Sequence, residues 1–166
     1  MKSMLLLALV PTIALAQKPP AVCPLLTDAE ISAATGMKVG KGQKFDLPTK
    51  KTAGCMWKVG ETGMVNISLS PAAPTKEQRD AAVAGYRQMY DRLKAAGWTV
   101  TESKLGNALC HTAAPPKAES DQTPAMTGCM TEAKGFAFAV GFAAPHGKLA
   151  PEKIKTLADD VAKRLP

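Results

Sequence analysis

The amino-acid sequence predicts an α+β fold, an antiparallel sheet with helices packed on one face. Two observations carry that prediction. Gly54–Val59 with Met64–Ser70, and Gly128–Ala133 with Phe136–Phe142, each read as a hairpin of alternating buried and wet positions. Segments 76–96 and 151–165 carry apolar residues at three- and four-residue spacing, the stripe of an amphipathic helix. The stripes need a common surface to bury against, and the alternating strands supply one. With 166 residues, 46% hydrophobic and 21% charged, the chain suits one globular domain and is too apolar for disorder.

The first element is an address. Lys2, the apolar run Met4 to Val10, and the small residues of Ala14-Leu15-Ala16 form a secretory signal peptide over residues 1–16. The run is interrupted by Pro11 and falls short of the roughly 20 apolar residues of a spanning helix. No transmembrane segment is expected after cleavage, and the mature chain is expected to be periplasmic or secreted. Residues 17–22 form an extended, Pro-rich leader, and 23–166 a single domain.

Within that domain, Thr27 and Glu30 have capping-box spacing and Gly36 ends the first helix. Met37 to Val39 can run as a strand, and residues 40–52 read as a loop. After the hairpin around Gly60-Glu61-Thr62-Gly63, Pro71 to Pro74 break the chain. Thr75 then caps a long helix whose stripe is Val83, Tyr86, Met89, Tyr90, Leu93 and Ala96, and Gly97 closes it. Trp98 to Lys104 and Ala108 to Thr112 follow as strands, and Ala114 to Pro124 as a polar loop. The second hairpin turns at Lys134-Gly135. Pro151 opens a last helix with the stripe Ile154, Leu157, Ala158, Val161 and Leu165.

The halves resemble each other. Ala34-Thr35-Gly36-Met37-Lys38-Val39 parallels Ala95-Ala96-Gly97-Trp98-Thr99-Val100, and Gly54-Cys55-Met56 parallels Gly128-Cys129-Met130. Two pseudo-repeated helix-strand units sharing one sheet explain both parallels.

Cys23, Cys55, Cys110 and Cys129 are an even number of cysteines in an exported chain, so two disulfides are expected. No C-x-x-C pair supports a redox or zinc site. If the halves are duplicates, Cys23–Cys55 with Cys110–Cys129 staples each half separately. Cys55–Cys129 is the rival pairing, available if the two equivalent strands lie side by side.

Cys23-Pro24-Leu25-Leu26-Thr27, a helix ending at Gly36, and Gly54-Cys55-Met56-Trp57 before an alternating strand resemble a domain-of-unknown-function family of small bacterial cell-envelope proteins and lipoproteins. The likeness covers residues 23–70 and implies an envelope location, with no activity attached. The chain departs from that family at lipidation, because Lys18-Pro19-Pro20 separates Cys23 from the apolar run.

The net charge of +7 includes the basic stretch Lys38, Lys41, Lys44, Lys50, Lys51 and Lys58, a candidate surface for an anionic ligand or partner. Clustered arginines with interleaved aromatics are lacking, so nucleic acid is not an expected partner. No nucleophile elbow, paired acid and base, or phosphate loop is present, so no catalytic residue is assigned and no cofactor is expected. The expected function is therefore a non-enzymatic exported binding or envelope-associated domain. The alternative is a soluble copper-binding or thiol-reactive protein using methionines, cysteines and His111 or His146. Against copper, methionine reads as adaptable core filler. In Phe136–Phe142 the aromatic residues form the core face, while Ala137, Ala139 and Gly141 either sit under a loop or leave a smooth opposite face where a ligand or chain could approach.

Overall fold

The capping signals act as written. The Thr27 hydroxyl accepts from the Glu30 amide, and the Glu30 carboxylate accepts from the Thr27 amide at 2.8 Å. That box opens helix α1, Asp28–Thr35, which follows a single 3-10 turn at Cys23–Leu25 and ends at Gly36 with φ +72°. In the computed structural model, residues 19–46, 52–117, 123–145 and 149–166 are described. The expected signal peptide and its expected cleavage site, Lys50, Lys51 and His146 lie outside the described residues.

The strands are β1 Gln43–Asp46, β2 Ala53–Val59, β3 Gly63–Pro71, β4 Thr99–Leu105, β5 Ala108–Ala114, β6 Ala125–Ala133 and β7 Phe136–Ala144. They form one antiparallel sheet in the order β1-β2-β3-β7-β6-β5-β4. Helix α2, Lys76–Ala95, links β3 to β4, and α3, Pro151–Arg164, ends the fold. The hairpins β2–β3 and β6–β7 meet at the central β3–β7 ladder, where Ile67 opposes Val140. Cys55 on β2 and Cys129 on β6 hold matching places on either side, in register with the Ile67–Val140 pair.

Both disulfides take the local pairing, Cys23–Cys55 and Cys110–Cys129, at sequence separations of 32 and 19. Two strands, β3 and β7, separate β2 from β6, so the Cys55–Cys129 rival has no adjacency to draw on.

Three boundaries depart from expectation. Gln43–Asp46 is a strand rather than loop, because Phe45 covers Gly54 on β2 and gives the edge a packing partner. Met37–Val39 contributes only the bridge Val39 to Val59. The sixth strand begins at Ala125, three residues before Gly128 and directly after the expected polar loop.

The core lies on one face of the sheet. Trp57, Val59, Val65, Ile67, Leu69, Phe136, Phe138, Val140 and Phe142 are buried there with Cys55, Cys110 and Cys129, and Cys23 packs half-buried against them. α3 covers them with Ile154, Leu157, Ala158 and Val161, and α1 adds Ile31. Burying each Ile, Leu or Val side chain contributes about 1.5–3 kcal/mol, so the α3 stripe is a principal source of stability. Arg164 ties the two helices together. Its guanidinium forms a two-point bond with Glu30 at 2.6 and 2.7 Å and donates to the Leu25 carbonyl.

The α+β class with an antiparallel sheet is thus as expected, and α1 and α3 share a face. The placement of α2 is a correction. The Tyr90 ring rests on His111, which points away from the neighbouring Cys110 and its disulfide, so α2 crosses the face opposite α3. The core face is already filled by α1 and α3. The α2 stripe is also weaker than its spacing suggests: Tyr90 is the one fully buried residue of the helix, while Tyr86 and Met89 are 38% and 44% exposed.

Candidate functional site

Register fixes the composition of the second face. β3 presents Met64, Asn66, Ser68 and Ser70, and β7 presents Ala137, Ala139, Gly141 and Ala143. β6 adds Met126, Gly128, Met130 and Glu132, and β5 adds Leu109, His111 and Ala113. Short side chains keep this face low. Its glycines are roofed by a planar group from the partner strand: Phe45 over Gly54, His111 over Gly128, Asn66 over Gly141. A Cβ on Gly128 would come 2.7 Å from His111 Cε1, so the imidazole lies flat because its neighbour has no side chain.

α2 meets this face only toward its C-terminal end. The Tyr90 and His111 ring centroids are 4.4 Å apart, and Arg87 pairs with Glu102 of β4 at 3.1 Å. Burial pushes the His111 pKa down to about 4, with Glu102 partly opposing, so the imidazole is neutral at pH 7. Burial also raises the Tyr90 phenol well above its ordinary range. His111 Nδ1 and the Tyr90 hydroxyl are both buried without a hydrogen-bond partner among the described residues.

Toward its N-terminal end α2 stands off the sheet and leaves a cleft of about 700 Å³. Ala82, Val83 and Tyr86 form the helix wall, and Ser68, Ala137, Ala139, Leu109 and Met130 the floor. Arg79 lies at the rim, where Nη1 donates to the Ala73 carbonyl at 2.8 Å. Glu132 and Asn107 stand on the sheet side. The cavity falls within the roughly 300–1,000 Å³ of small-molecule sites and is largely apolar with few polar groups, as such sites are.

The residues singled out in the sequence are distributed as follows. Ala137 and Ala139 lie on the cleft floor, and Gly141 continues the same face under Asn66. Lys38, Lys41 and Lys44 are exposed. Lys41 and Lys58 border a second hollow of about 510 Å³ over Met56 and Met64, whereas Lys44 opposes Cys55 and so belongs to the other face. The methionines correct the core-filler expectation. Met56, Met64, Met126 and Met130 stand half-buried on the α2 face, and Met37 and Met89 are exposed, because the aromatic and branched residues of β2, β3 and β7 fill the core. All four cysteines are in disulfides, which removes thiolates from any copper site. Among the described residues no group of three His, Cys, Asp or Glu could hold a metal ion.

Sequence reasoning missed Arg79, Asn66 and the Tyr90–His111 contact. Each depends on which face α2 crosses, and the spacing of its stripe does not encode that. The available signal was the run of small residues in β7, which marks a face that something can approach. No protein-family model matches this chain, and no curated protein matches it.

Proposed function

We propose that this chain is an exported, non-enzymatic binding domain, periplasmic or secreted, whose ligand seats in the cleft between α2 and the sheet. The observation that carries this reading is the cleft itself, an apolar floor of Ala137, Ala139, Leu109 and Met130 beneath a helix that does not close onto it. A folded domain of this size would ordinarily bury such a stripe, and here Tyr86 remains 38% exposed. Both disulfides fit an oxidising compartment. No described helix is long and apolar enough to cross a membrane. The Cys23-led turn and the Gly54-Cys55-Met56-Trp57 strand support an envelope setting through the resemblance they carry.

An uncharged fluorescent probe tests the cleft. Nile red is expected to bind the mature protein with a blue-shifted emission. Ala139→Trp, which fills the floor, is expected to abolish that shift while leaving the thermal transition intact. Equal binding by the wild type and the variant would place the probe elsewhere and sink the reading. Export is tested by intact mass: the exported protein is expected to begin at Gln17.

A further inference from the structure

We propose that the ligand of this cleft is an amphipathic anion, a straight-chain carboxylate or similar lipid anion, with its head on Arg79 and its tail over Ala137 and Ala139. This rests on the cleft reading above. Two features, one of charge and one of shape, point to the same molecule.

The first is Arg79. Its guanidinium is half-buried at the cleft rim, carries five donors, and uses one of them on the Ala73 carbonyl. Arg87 and Arg164 each pair with a glutamate, at 3.1 and 2.6 Å, whereas Arg79 forms no ion pair among the described residues. A guanidinium drawn partly out of water favours a charged acceptor, and its fork matches a carboxylate or phosphate through two parallel bonds. Glu132 lines the same cleft from the sheet side without reaching Arg79. It repels an anion there, so it directs the head to the helix side and holds affinity down.

The second is the floor. Ser68, Ala139, Met130 and Leu109 oppose one another across β3, β7, β6 and β5, forming a row perpendicular to the strands. Ser70, Ala137 and Glu132 form the next row. The alanine and serine side chains leave the strip low, and the thioether and isobutyl groups of Met130 and Leu109 border one end. Val83 and Tyr86 stand over it on the helix side. A long flexible chain can lie along such a strip, and methionine adapts its shape to a chain of varied length.

Calorimetric titration of the mature protein with octanoate, decanoate and dodecanoate, and with decanol as the uncharged control, tests the proposal. Affinity is expected to rise up to about fourfold with each methylene until the cleft is full. Decanoate should bind at least about tenfold more tightly than decanol. Arg79→Gln is expected to erase that difference by weakening decanoate alone, with an unchanged melting temperature as the folding control. Arg79→Lys should recover part of it, and Glu132→Gln should strengthen decanoate. If decanoate and decanol bind alike and Arg79→Gln changes neither, the head assignment is wrong while the cleft reading stands. If neither binds, or Ala139→Trp leaves both unaffected, the cleft reading itself is wrong.

Discussion

At the residue scale, two side chains set how this protein responds to acid. His111 titrates near 4 when folded and near 6.5 when unfolded, so between those values the unfolded chain holds the extra proton. Its contribution is therefore complete above about 6.5 and is lost as pH falls toward 4. Glu30 behaves as the usual carboxylate: the Arg164 guanidinium holds its pKa at about 2, below its ordinary 4.5. Its contribution is complete above 4.5 and is lost as pH falls toward 2. Each is worth on the order of 1–2 kcal/mol once solvent screening is allowed for. Melting temperature measured from pH 7 to 2 is expected to fall in two stages. His111→Gln should flatten the upper stage and Glu30→Gln the lower. A single stage unaffected by His111→Gln would show that the imidazole is not held neutral. The sequence marked both residues, Glu30 through its capping box and His111 as a candidate copper ligand. It could not supply their partners, since Arg164 and Tyr90 reach them only through the fold.

At the element scale, α2 and α3 are opposites built from similar-looking stripes. α3 buries Ile154, Leu157, Ala158 and Val161 against aromatic residues, whereas α2 faces alanine, serine and glycine and fully buries Tyr90 alone. Helix stability in proteins comes mostly from such packing rather than from propensity, so the two should differ in local opening. Amides of residues 80–94 are expected to exchange with solvent well before those of 154–164. Thr75→Ala, which removes the hydroxyl that accepts from the Gln78 amide, should cost about 1 kcal/mol and accelerate exchange in α2. The global transition should shift little. Hydrogen exchange with mass spectrometry decides this, and equal protection of the two helices would contradict the account. Periodicity located both helices and their caps correctly. It overestimated α2 because a stripe shows which residues face inward, not whether bulky or small residues meet them.

At the scale of the whole molecule, each flank of the sheet carries its own disulfide. For loops of separation 32 and 19, chain entropy gives about 3–4 kcal/mol apiece. Cys110→Ser with Cys129→Ser, and the corresponding Cys23 and Cys55 pair, should each lower stability by that order in denaturant titrations. The number of cysteines and the likeness of the halves made this pairing legible, and two-residue alternation made the sheet legible. The order of strands and the division of helices between faces came only with the structure, because both are decided by which surfaces remain to be covered after the hairpins meet.

The placement of the two disulfides has a further consequence. One closed ring runs from Cys23 to Cys55 and the other from Cys110 to Cys129, and they neither interlace nor enclose α2. A single proteolytic nick in that helix, at Arg79, Arg87 or Arg92 for instance, would sever the chain into two pieces with no covalent bond between them. Each piece would keep its own cystine and one of the two central strands, β3 or β7. The pair would migrate as one protein under native conditions and as two in detergent without reductant. The gene could be divided at the same point, with the β3–β7 ladder left to reunite the halves.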